Sequence, residues 1–199
     1  MGYSIDSLSA NCYPGTSVLI NKFHIREEDK LAEIENIVSA AKSVQWLRHP
    51  GSTSFDFSHY KAIHAFLFSD LYDWAGTVRT VNLSKKGTRF CNVSEVEQQA
   101  QLIFSRLKDE DFFRGLPRSA YIDELVDFYQ LTNLLHPFRE GNGRTQRIFI
   151  QQLLQLSGYN INWAHMDTDL LMIATIQAAQ GVTDLLREIF ENQIFEFSP

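Results

Sequence analysis

Two stretches with helical periodicity, residues 119–135 and 144–157, are separated by HPFREGNG, in which one proline and two glycines forbid a single continuous helix. In the first, SAYIDELVDFYQLTNLL, the apolar residues Ile122, Leu125, Val126, Tyr129 and Leu134 recur at three- and four-residue spacing. In the second, RTQRIFIQQLLQLSG, Ile148, Phe149, Leu153 and Leu156 face inward and Gly158 ends the run. The chain must turn between them. Pro137 pushes His136 away from helical ψ, so an imidazole is turned out at a helix end.

The restart is equally constrained. Gly141, Asn142 and Gly143 lie at a helix N-terminus, where backbone N–H groups lack partners and the dipole is positive. Glycine lets a ligand approach closely, so this is an anion-binding nest. Arg144 and Arg147, one turn apart, project beside it and suggest more than one phosphate. Glu140, in the preceding loop, suits Mg²⁺ shared with bound phosphates, or else a salt bridge to one of the arginines. Alone, a histidine is more often structural; in this company His136 is a candidate general base for an attacking hydroxyl. Other templates fail. No Lys-[Ser/Thr] follows the glycines as in a P-loop, Pro137 precludes an HExxH-like zinc pair, and no GxSxG occurs.

The rest of the chain reads as further helices. Residues 27–48 place Leu31, Ile34, Ile37, Val38 and Ala41 at helical spacing, with acids in the first turn and Pro50 and Gly51 beyond the end. A second helix is expected over 58–73, with Ile63, Phe66, Leu67 and Leu71 on one face and Trp74-Ala75-Gly76 ending it. His59 and His64 lie on it without a third ligand, so packing or surface roles are expected rather than a metal. Further helices fit 93–109 and a tail from about 167 to 195. Residues 77–91, TVRTVNLSKKGTRFC, differ: β-branched and polar residues alternate around a turn at Ser84-Lys85-Lys86-Gly87. A lone hairpin either leans on the helices or accepts a partner strand.

The expected fold class is therefore mainly α with one β-hairpin, in a single domain spanning 1–199. Its parts are an N-terminal helical region (about 1–57), a core (about 58–165) holding the hairpin 77–91 and the stretch 136–147, and C-terminal helices (about 166–199). Fifteen phenylalanines in a chain that is 44% apolar readily supply a core. A net charge of -6 speaks against nucleic acid or an anionic membrane as a partner, so any anion must be bound locally. Cys12 and Cys91 lack zinc or redox spacing and read as structural. No signal pattern, membrane span or myristoylation motif is present, which points to a cytoplasmic protein.

HPFREGNGRTQR, residues 136–147, resembles the Fic motif HPFx[D/E]GNGRxxR, agreeing at every specified position. LFSDLYDWAGTVR, residues 67–79, is similar to the Fic segment that leads into its flap hairpin, and YPGTSVLINK, residues 13–22, resembles the start of small bacterial Fic proteins. The resemblance implies a Fic-type helical bundle with a β-hairpin flap. It also implies transfer of AMP from ATP to a protein hydroxyl, with pyrophosphate released. Under it, His136 would be the base, Phe138 would pack the loop into the core and Glu140 would bind Mg²⁺. Gly141, Asn142 and Gly143 would hold phosphates, Arg144 would contact the β/γ region, and Arg147 would pair with the γ-phosphate.

The flap, at about 78–90, would register a target segment by strand addition. Doc-type kinases of the family carry lysine where this chain has Gly143, which favours adenylylation here. The family's inhibitory pattern [S/T]xxxE[G/N] is not met: Glu35-Asn36 follows Leu31, Glu191-Asn192 follows Arg187, and Glu140-Gly141 follows His136. That implies the toxin-like branch, in which a small separate helical antitoxin supplies the inhibitory glutamate and type II topoisomerase subunits are targets. The alternatives are transfer of another nucleotide or phosphate-linked group, and a non-catalytic nucleotide-binding interaction module.

Overall fold

The computed structural model describes residues 11–51 and 53–197. In chain order it contains α1 (Glu28–Arg48), α2 (Phe57–Phe68), β1 (Ser84–Lys85), β2 (Thr88–Arg89), α3 (Val96–Asp109), α4 (Arg118–Leu135), α5 (Asn142–Leu156), β3 (Tyr159–Ile161), α6 (Thr168–Ala178), α7 (Asp184–Gln193) and β4 (Ile194–Glu196). The architecture is mainly α, as expected. Helices α2, α4 and α5 form the centre: α1 and α2 pack on α5, α3 lies against α2 and α4, and α6 and α7 cover the other side of α4.

An aromatic cluster holds these helices together. Phe149 of α5 is fully buried and meets Phe55, Tyr60, Phe104 and Phe128, each with ring centroids 5.5–5.7 Å apart. Each such ring contributes about 1.5–3 kcal/mol on burial, so the beginning of α5 is fixed by its own middle. Phe138 extends the cluster into the loop, stacked on Tyr60 at 5.8 Å and on His64 at 3.8 Å.

Several elements differ from the reading of the sequence. Helix α2 stops at Phe68 rather than 73, and residues 69–76 form turns. On α1 Leu31 is buried and Ile34 and Val38 are half-buried as expected, but Ile37 and Ala41 are exposed, and Glu35, Ser39 and Trp46 are buried with Leu31. The face is set by what it meets on α5, which includes a cation. On α4 and α5, Leu135 and Leu154 are buried, whereas Leu134 is half-buried and Leu156 is exposed. The helical tail from about 167 to 195 is divided into α6 and α7 where Gly181, at φ 90°, interrupts it. A second antiparallel pair, β3 with β4, joins Tyr159–Ile161 to Ile194–Glu196.

The hairpin is shorter than 77–91. Only Ser84–Lys85 and Thr88–Arg89 pair, with Lys86 (φ 50°) and Gly87 (φ 82°) as a two-residue turn, so Ser84 and Lys85 belong to a strand. Beyond the paired residues the Phe90 N–H still donates to the Leu83 carbonyl at 3.2 Å, and farther out Arg79 is tied to His136 and Pro137 just past α4.

Candidate active site

The loop between α4 and α5 is braced from within. Asn142 accepts the Phe138 N–H at its side-chain oxygen and donates its amide to the Phe138 carbonyl, both at 2.8 Å. The asparagine side chain therefore closes the loop, leaving its backbone for the helix start. Gly141 caps α5 with φ 79°, and a Cβ there would lie 2.4 Å from the Phe68 ring. Only glycine fits that position without displacement.

His136 ends α4 in the left-handed region, at φ 43°, ψ 58°. Pro137 excludes continuation of the helix, but the result is a left-handed residue rather than an extended one. The His136 Nδ1–H donates to the Asn133 carbonyl at 3.2 Å, which leaves Nε2 as the basic nitrogen of the ring. Phe90, just past β2, stacks on the imidazole at 3.6 Å and 11°. Burial pushes the His136 pKa down to about 3, and Arg79 and Lys85 add to the depression while the Asn133 carbonyl opposes it. The ring is neutral at physiological pH.

His64 supports the loop from α2. The Gly76 N–H donates to its Nδ1 at 2.8 Å, so its Nε2 carries the proton and donates to the Glu140 carbonyl at 3.0 Å. Burial pushes its pKa down to about 3, which keeps this tautomer neutral. His59 and His64 are both buried and packed against neighbouring rings, and among the described residues no group of three or more histidine, cysteine or acidic side chains could hold a metal.

Every site residue anticipated from the sequence lines one hollow of about 310 Å³. One wall is His136, Glu140, Gly141, Asn142, Gly143, Arg144 and Arg147; the second is Lys85, Lys86, Thr88 and Phe90 of the hairpin. Tyr129, Leu171, Met172 and Ile176 supply an apolar wall opposite. Such a lining combines backbone and cationic groups suited to an anion with apolar side chains suited to a flat group.

The arginines part company. Arg144 pairs with Glu35 of α1 and donates to Ser39 Oγ at 3.1 Å, and Glu35 also accepts the Tyr72 hydroxyl. Glu140 stands 3.6 Å from Arg144 and accepts the Gly141 N–H at 2.9 Å. The carboxylate thus lies between the nest and a cation, the bland salt-bridge geometry, while still facing the hollow. Arg147 makes no ion pair among the described residues, and burial lowers its pKa from far above neutrality. It stays charged. Sequence reasoning missed Glu35, Ser39 and Tyr72; the only signal was the polar interruption of an otherwise apolar face.

A helical bundle thus opens a hollow onto a helix start, two arginines and a neutral histidine. Residues 54–154 match the model of the Fic/DOC family. The chain is 34% identical over 185 residues to protein adenylyltransferase VbhT of Bartonella schoenbuchensis, covering 93% of this chain and 39% of VbhT. It is 32% identical over 184 residues to a probable protein adenylyltransferase Fic of Salmonella typhimurium, covering 92% and 91%. The structure of BepC from Bartonella tribocorum with bound AMPPNP superposes with a TM-score of 0.89 at 25% identity, over 94% of this chain and 97% of that one. The chain belongs to the Fic/DOC family.

Proposed function

We propose that this chain is a protein adenylyltransferase, transferring AMP from ATP to a hydroxyl side chain of a target protein. The reading is supported by the names of its relatives and by AMPPNP in a structural neighbour. One observation carries it: a neutral His136, its Nδ1–H fixed on Asn133, shares a hollow with the nest at Gly141–Gly143 and with Arg147.

In the proposed reaction the target hydroxyl attacks the α-phosphorus, its proton passes to His136 Nε2, and the bond to the β-phosphate breaks to release pyrophosphate. The nest and Arg147 orient the phosphates, and Gly143 leaves the space that a lysine would fill. Glu140 is a single hard carboxylate beside that nest, which fits Mg²⁺ shared with phosphates better than a cage made by protein alone. Bound there, the ion would neutralise phosphate charge. A target strand would add to the hairpin edge.

For regulation we infer a small helical partner that presents a glutamate to Arg147, the toxin arrangement of the family. In its favour, Glu35 is taken by Arg144, and Arg147 has no carboxylate of its own among the described residues. No helix among those residues is long and apolar enough to cross a membrane, and Cys12 and Cys91 are free thiols, which suits a cytoplasmic setting. The test is mass spectrometry of a lysate treated with the chain and ATP, with type II topoisomerase subunits as the first candidates. A protein carrying AMP on Ser, Thr or Tyr is expected with wild type and not with His136→Ala. No such adduct in either would refute the reading.

A further inference from the structure

Arg79 is 4% exposed, yet it lies outside the stretch 136–147 and does not line the hollow. Its side chain is spent on backbone carbonyls. Nε donates to His136 at 2.8 Å, one terminal nitrogen donates to Val81 at 2.6 Å, and the other donates to Cys91. Its own N–H donates to the Pro137 carbonyl at 2.8 Å, and the Cys91 N–H donates to Leu134 at 2.8 Å. Val81 and Cys91 lie on the segments that lead into and out of the hairpin, and Leu134, His136 and Pro137 lie at and just past the end of α4.

Three facts make this more than a buried cation finding acceptors. The carbonyls at a helix C-terminus lack intrahelical partners, and a guanidinium there satisfies them while opposing the dipole. His136 is a non-glycine residue in the left-handed region, a conformation that persists only where its surroundings hold it. The planar fork of arginine reaches three acceptors in fixed directions, which lysine cannot do.

We propose that Arg79 is a positioning residue: one guanidinium holds His136 in its left-handed conformation and clamps to it the segments that lead into and out of the hairpin. The orientation of the imidazole and the placement of the flap are then a single variable. Phe90, one residue before Cys91, is stacked on the same imidazole, so the clamp also sets that contact. The importance of the device rests on the reading of His136 as the base.

The test observes the imidazole and the flap in the free protein, without any transfer reaction, so that its outcome does not depend on the chain being active. In ¹⁵N-histidine spectra of the full chain, wild-type His136 is expected as the Nδ1–H tautomer. In Arg79→Lys, which keeps the charge and loses the fork, a mixture of tautomers is expected, with exchange at the Phe90 and Cys91 amides raised about tenfold or more. If those amides loosen while His136 keeps its wild-type tautomer, or if neither changes, the proposal is wrong. Should the variant fail to fold, the wild type decides: the Arg79 Nε–H must exchange slowly and show scalar coupling to the His136 carbonyl. Exchange as fast as that of a surface arginine overturns the proposal.

Discussion

The ring of Phe90 lies flat on the imidazole of His136, with centroids 3.6 Å apart and planes inclined by 11°. The hairpin therefore contributes to the dryness that keeps His136 neutral. Phe90→Ala opens that face to water, and because burial is the leading cause of the depressed pKa, the titration midpoint should rise from about 3 toward the ordinary value. An NMR titration of the imidazole measures it. An unchanged midpoint would assign the desolvation to the helices alone.

Glu35, buried on α1, pairs with Arg144 and also takes the Tyr72 hydroxyl. Glu35→Ala leaves both without that acceptor and should cost about 2–4 kcal/mol of stability, since breaking a buried pair exposes the desolvation of its partner. Glu35→Gln, which keeps one acceptor, should cost about half as much. Urea denaturation distinguishes the two.

Gly141 and Gly143 are two residues apart and should respond oppositely. Gly141→Ala combines a φ of 79° with a Cβ 2.4 Å from Phe68, and should destabilise by about 2–3 kcal/mol or more. At Gly143 the nearest atom to a Cβ is 3.6 Å away, on Arg147. Gly143→Ala should fold as well as wild type and bind AMPPNP more weakly, as read by calorimetry, because the methyl intrudes on the nest rather than on the core.

His64 and His136 both have folded-state pKa values of about 3. A depressed histidine binds fewer protons folded than unfolded, so its contribution is complete above the unfolded value of about 6.5 and declines as pH falls toward 3. Each should remove about 1.4 kcal/mol per pH unit across that window. Denaturation midpoints that stayed level from pH 7 to 4 would contradict the burial of these rings.

The loop at 136–147 was legible in the sequence because proline and glycine act locally: Pro137 ends one helix and Gly141 starts the next whatever surrounds them. Glu35 was not, since its partner lies 109 residues away and the face of α1 was read from apolar residues alone. That reading put the exposed Ile37 inside. The role of His64 depends on Gly76 and Glu140 reaching it from two directions, which spacing along one helix does not encode. The hairpin was found by its turn, but the segments leading into and out of it are tied by Arg79 more than by a ladder, so alternation overstated its length.

Everything proposed for the site turns on His136 activating a hydroxyl for attack on the α-phosphorus. Incubating wild type and His136→Ala with ATP labelled at the α- or at the γ-phosphate, and following label into protein, examines that step itself. Incorporation is expected from the α position only, reduced about 10²–10⁴-fold by His136→Ala while AMPPNP affinity is retained. Label entering protein from the γ position alone, or undiminished transfer by His136→Ala, would show that His136 does not have this role.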